Sequence, residues 1–259
     1  MTLKAIKRLS LIINAKTGIV TALAVISTFL CDLYDLTANF PITLITIAII
    51  FPVVFSIGGA YKRRESALDE YGSLKSHGRA IYFATRDWID SPSEETLDRS
   101  RQLLGNLFDA CRTLFSQPVS LLRQNEEAVY KEFSNLSKFI RVDLRENGLA
   151  SGEVSRVNQY LSKMFIAFED IKHIYQYRTP RTLRAFSDVF ITILPPLYGP
   201  YFAFVAKEFS PGLRYFLPIL FSVILVSLDN IQDHLENPFD QIGEDDVTIN
   251  VEEFLRRLN

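Results

Sequence analysis

Apolar and polar positions divide the chain into three zones. Apolar residues crowd positions 17–61 and again 185–231, and the stretch between them is rich in charge. The densest run is Phe40 to Tyr61, FPITLITIAIIFPVVFSIGGAY, twenty-two residues without a charge, closed by Lys62, Arg63 and Arg64. At about 1.5 Å of rise per residue, such a run crosses a hydrocarbon core of roughly 30 Å. A basic cluster directly behind it marks the cytoplasmic end of a span. Core helices of soluble proteins are usually shorter, so the run predicts a membrane-spanning helix.

The same pattern places three further spans. Thr17 to Tyr34 is the first, interrupted late by Asp32, and the link DLTAN to the next is so short that the two must be antiparallel neighbours. Ala185 to Ala206 is the third, entered past Arg178, Arg181 and Arg184, and Pro195, Pro196 and Pro200 must kink or break it. Leu213 to Leu228 is the fourth. Lysine and arginine counts put both termini on the cytoplasmic side. Residues 1–16 set Leu3, Ile6, Leu9 and Ile13 against Lys4, Lys7 and Arg8, which suits a helix lying at the membrane surface or packed on the cytoplasmic domain.

Between the spans the period is helical. The second span continues outward, with Leu68, Tyr71, Leu74, Ile81 and Trp88 forming an apolar stripe among charges. Ser91 is expected as the next N-cap, with Pro92 at the first helical position and Glu94 completing a capping box. Helices are expected over 93–116, 118–146 and 152–176. Leu136, Phe139, Ile140, Val142 and Leu144 should be buried in one, and Val157, Leu161, Met164, Phe165, Phe168 and Ile171 in the next. The expected organisation is therefore an amphipathic helix at 1–16, spans at 17–61 with the second of them at 40–61, a cytoplasmic helical domain at 62–184, spans at 185–231 and a cytoplasmic tail at 232–259.

Composition adds constraints. The 259 residues are 48% apolar with mean hydropathy +0.11, high for a soluble domain and low for a bundle of spans alone. The formal net charge of −2 offers nucleic acid no basic surface. Cys31 and Cys111 fall in different environments, which argues against a disulfide framework or a metal site. His77, His173 and His234 are scattered, and no phosphate loop, CxxC pair or HExxH is present. Neither an enzyme nor a cofactor-binding protein is expected.

One stretch could carry transport. Phe51, Phe55 and Gly59 are spaced i, i+4, i+8 and so share one helix face, with Ile47 continuing the line outward. Pro52 and Gly58 supply local flexibility. Copies of this helix around an axis would form phenylalanine rings, a hydrophobic constriction whose positive ring edges favour an anion. On periodicity alone, a stripe facing lipid or another helix is the expected reading.

Several stretches resemble the bestrophin family of anion channels. They are the Asp-x-Ile-x-x-x-Leu-Glu-x-Pro-Phe run at Asp229 to Phe239, and the Arg-Thr-Pro-x-x-x-Arg-Ala-Phe entry to the third span with Leu194-Pro195. The Phe-Ser-Ile-Gly segment closing the second span is the other. The resemblance implies an all-α homopentamer with four transmembrane helices per subunit and a central pore lined by the second. The neck of that pore would map to Phe51, Phe55 and Gly59, the last lacking the bulky side chain usual in the family. Animal members bind calcium after Asn-Pro-Phe. Glu244, Asp245 and Asp246 are the corresponding candidates here, but the register is shifted and a solvated acidic turn is the expected reading.

The sequence thus points to a multi-pass protein of the plasma (inner) membrane, in contact with lipid, forming an oligomeric channel for chloride or other small anions. A secondary carrier, motivated by the proline-broken span, and a non-conducting scaffold with a partner-binding helical domain are the rivals.

Overall fold

The computed structural model describes residues 12–177, 180–239 and 246–258. Every regular element among them is helical. In chain order these are α1 (Ala15–Leu33), α2 (Ile42–Asp87), α3 (Glu94–Ser116), α4 (Leu122–Lys138), α5 (Ser151–Gln176), α6 (Arg181–Leu197), α7 (Gly199–Glu208), α8 (Leu213–Glu236) and α9 (Val251–Arg256). A 3-10 turn, Val119–Leu121, leads into α4, and a π-turn, Phe139–Asp143, with a short helix, Leu144–Glu146, extends it. Four helical segments are long and apolar enough to cross a membrane: Ala15–Leu33, Ile45–Asp87, Arg181–Glu208 and Leu213–Glu236. The all-α, four-span class read from the sequence is the one observed.

The chain forms two compact units, Met1–Lys62 with Thr179–Glu236 and Arg63–Arg178 with Asn237–Asn259. The first holds α1, the beginning of α2, and α6 to α8. Asn14 caps α1 in a capping box with Thr17. Small residues let α1 approach its neighbours, with Ala24 and Thr28 fully buried. Ile49, Val53, Ile191, Tyr198, Phe202 and Val226 share one apolar cluster.

The prolines of the third span act as expected. Helix α6 stops at Leu197, and α7 begins at Gly199 with proline in its first turn. Pro200 has no N–H for the Pro196 carbonyl, and in hydrocarbon an unpaired carbonyl costs several kcal/mol. The Ser27 hydroxyl supplies the missing donor at 2.6 Å. Gly199 makes this contact possible, since a Cβ there would meet Ser27 Oγ at 2.4 Å and the Ser27 backbone carbon at 3.0 Å.

The second unit packs the outer part of α2 against α3, α4, α5 and α9. Leu74, Ile81, Leu104, Phe108, Met164 and Phe168 are among its fully buried residues. Gly78 admits Phe254, Met164 and Phe108 to within 3.2–3.4 Å of where a Cβ would lie.

Four details depart from expectation. The N-cap of α3 is Ser93, whose Oγ accepts from Thr96 N at 3.2 Å, while Ser91 has φ +62°. Capping at Ser93 brings Glu94 and Glu95 into the first turn, where the helix dipole favours them. Val142 is exposed although Ile140 and Leu144 are buried; at about 100° per residue, positions 140 and 142 lie on opposite faces. Phe165 and Trp88 are exposed as well. The helix of the fourth span, α8, also runs on past Leu228 to Glu236.

Candidate functional site

Helix α2 has two unlike faces in its membrane segment. Ile49, Val53 and Ala60 are 5%, 1% and 0% exposed, and Ile49 and Val53 join the apolar cluster of the first unit. Thr46 and Tyr198 share a hydrogen bond of 3.0 Å on this side. The other face is open. Ile47, Phe51 and Phe55 are 58%, 61% and 63% exposed, which is unusual for large apolar side chains in a protein's own packing.

Phe51 and Phe55 touch edge to face, their centroids 4.5 Å apart at 68°, as the i, i+4 spacing requires. Gly59, one turn further, is half-buried, and Gly58 is exposed with open space where a Cβ would stand. Pro52 sits inside the helix without ending it. The structure therefore brings Phe51 and Phe55 together on a face the protomer leaves uncovered.

Other sequence candidates fall elsewhere. Glu244 and Asp245 lie outside the described residues, as does the amphipathic segment up to residue 11; Asp246 is half-buried. No group of three or more metal-ligating side chains occurs among the described residues. Cys31 and Cys111 are free thiols.

A polar cluster went unread in the sequence. Lys16 Nζ donates to Asp188 at 2.9 Å and to the fully buried Asp229 at 2.5 Å. Asn230 accepts from Asn14 at 3.0 Å and donates to the Ile12 carbonyl at 2.6 Å. Arg184 pairs with Asp188, Asp233 and Glu236. The available signal was Asp188 and Asp229 standing within apolar helices, where a carboxylate needs a named partner. Nearer the other ends of the spans, Arg214 meets Asp32 at 2.9 Å. Lys207 pairs with Asp35 and holds its carboxyl below the usual range.

A four-span helical membrane fold, with the Phe51 and Phe55 stripe of α2 among the apolar faces it leaves uncovered, defines the class of protein. Comparison with solved structures makes it more specific. A bacterial bestrophin homologue from Klebsiella pneumoniae matches with TM-score 0.73 at 18% identity, over 94% of this chain and 96% of that one. A single-substitution variant of the same homologue matches with TM-score 0.74 at 18% identity, over 96% and 97%. A crystal structure described only as a membrane protein variant gives TM-score 0.75 at 19% identity, over 95% and 97%. No family model and no curated protein matches the chain. The chain has the bestrophin fold, in a form like that of the bacterial homologues.

Proposed function

We propose that this chain assembles as a homo-oligomer, a pentamer, and conducts small anions such as chloride through a pore lined by α2. The observation that carries the reading is the uncovered face of α2, where Phe51 and Phe55 stand exposed while the opposite face is packed. Arranged around an axis, these side chains form a neck narrow enough to gate by dewetting, and their ring edges favour an anion over a cation. Gly59 leaves the innermost ring of that neck open. The protein spans the plasma (inner) membrane with both termini in the cytoplasm, and the second unit forms the cytoplasmic domain.

The carrier reading drew on the proline break of the third span. That break is packed against α1, with Tyr198 fully buried and the Pro196 carbonyl bonded to Ser27, which favours the pore reading over the carrier. The test is reconstitution of the purified oligomer in a planar bilayer under a chloride gradient. Unitary openings reversing toward the chloride potential are expected. Silence from a verified intact oligomer supports the scaffold, and slow saturable flux without unitary steps supports the carrier. Phe55→Ala is expected to change single-channel conductance or leak while moving stability by under about 0.5 kcal/mol, as for other exposed positions.

A further inference from the structure

The second unit holds a half-open cavity of about 170 Å3 that no part of the pore reading uses. Lys75 and Arg79 on α2 line it, together with Arg257 at the end of α9. Four residues apart, Lys75 and Arg79 share a helix face. One carboxylate, Glu253, stands against these three cations, and it is already paired to Arg257. Lys75 and Arg79 have no carboxylate partner among the described residues.

The two unpaired heads are held by rings instead. Lys75 Nζ lies 4.2 Å from the centroid of Tyr71, and the Arg79 guanidinium 5.9 Å from that of Phe254. Arg79 Nε is buried without a hydrogen-bond acceptor. Burial, with Arg79 and Arg257 nearby, holds Lys75 below the usual lysine range. Like charges gathered around an empty space are unfavourable unless an anion enters it. A guanidinium beside an ammonium presents the forked and point-like donors that tetrahedral oxyanions take. At roughly 30 Å3 per water, the space suits one such group and a few waters.

We propose that this cavity is a binding site for a phosphate-type oxyanion, held by Lys75, Arg79 and Arg257, that ties α9 to α2. The group could be free phosphate or the phosphomonoester headgroup of a lipid. Both sources are tested on the full-length oligomer at constant ionic strength with chloride as the background anion. Calorimetry with inorganic phosphate in detergent forms one arm. Binding to nanodiscs of phosphatidylcholine with and without phosphatidate forms the other.

Saturable binding in either arm, at one site per subunit, is expected, and the arm that responds identifies the source. Lys75→Gln with Arg79→Gln should weaken it at least about tenfold, the loss of two charge-assisted bonds. Lys75→Arg should retain it, and so should Arg123→Gln, an exposed arginine outside the cavity. Glu253→Gln, which removes the cavity's carboxylate, should tighten it severalfold and so serves if the double variant fails to fold. Absence of saturable binding in both arms overturns the proposal. So does binding unchanged by both the double variant and Glu253→Gln. None of these measurements depends on ion conduction, so failure here leaves the pore reading standing.

Discussion

At Lys172 three acceptors converge on one ammonium in the second unit. Its Nζ meets Glu126 at 2.6 Å, Glu169 at 2.6 Å and Tyr130 Oη at 2.7 Å, with only 12% of the side chain exposed. The Lys172 and Tyr130 hydrogen bonds hold Glu126 below the usual carboxylate range. Burial works to lower Lys172, but its bonds to Glu126, Glu169 and Tyr130 override this and raise it. Burial, and then the bond to Glu126, push Tyr130 up to about 12.

Lys172→Met would leave Glu126 facing Glu169 without a counter-charge and is expected to cost about 2 kcal/mol, read as a fall in Tm. The sign of the pH dependence follows from the directions. A depressed carboxylate stabilises above its unfolded value, about 4.3, and that contribution is lost as pH falls through the folded value. A raised lysine and a raised tyrosine contribute below about 10 and lose that contribution only as pH rises through their folded values. Stability from this network should therefore be flat between about pH 6 and 9 and fall on acidification. Glu126→Gln should show a shallower acid loss than the parent, and an identical acid limb would refute the assignment.

The bonds that join the two halves of this network are not legible in the sequence, because they span 39 to 46 positions, although Glu126 with Tyr130 and Glu169 with Lys172 are each within one helical turn. Lys16 and Asp229 are 213 apart. Local signals fared better where a residue's role depends on its own turn. Sequence chemistry puts the cap of α3 two residues early, because Ser91 and Ser93 both qualify and only backbone geometry separates them.

At the scale of elements the apolar pattern carried most of the fold. The long α2, the broken third span and the helices of the second unit all follow from period and proline position. What periodicity could not supply was how a proline-broken helix satisfies its carbonyls. The Ser27 to Pro196 bond and the close approach of Gly199 answer that, and both depend on α1 lying against the break. Ser27→Ala should take the side-chain donor from the part-buried Pro196 carbonyl and cost about 1–3 kcal/mol. Gly199→Ala should cost a similar 1–3 kcal/mol, about that of overpacking, because Ser27 backbone as well as its hydroxyl stands in the way. The two variants are expected to combine non-additively, since Ser27→Ala removes the nearest atom that a Cβ at 199 would strike. Thermal unfolding of the detergent-solubilised protein checks all three. Full additivity would show that the contact at the break is not shared.

At the scale of the whole molecule the sequence showed which residues form the stripe, but one chain cannot show what covers it. The surface that would close a ring belongs to other copies, and periodicity is the same whether Phe51 and Phe55 face water, lipid or protein. Cysteine accessibility separates these. The chain suits the method, because Cys111 is fully buried and burial pushes its thiol far above the ordinary range, leaving it protonated and unreactive. Only Cys31, half-buried in α1, needs replacement by serine. In that background Phe55→Cys should react with a water-soluble, charged thiosulfonate, and the current should fall as charge and bulk enter the neck. Ile193→Cys, on α6 and 52% exposed in the protomer, should leave the current unchanged, because a lipid-facing thiol stays protonated and out of the reagent's reach. Block at 193 with none at 55 would place the water path on α6 rather than α2. Block at neither, in channels that conduct, would remove Phe55 from the pore.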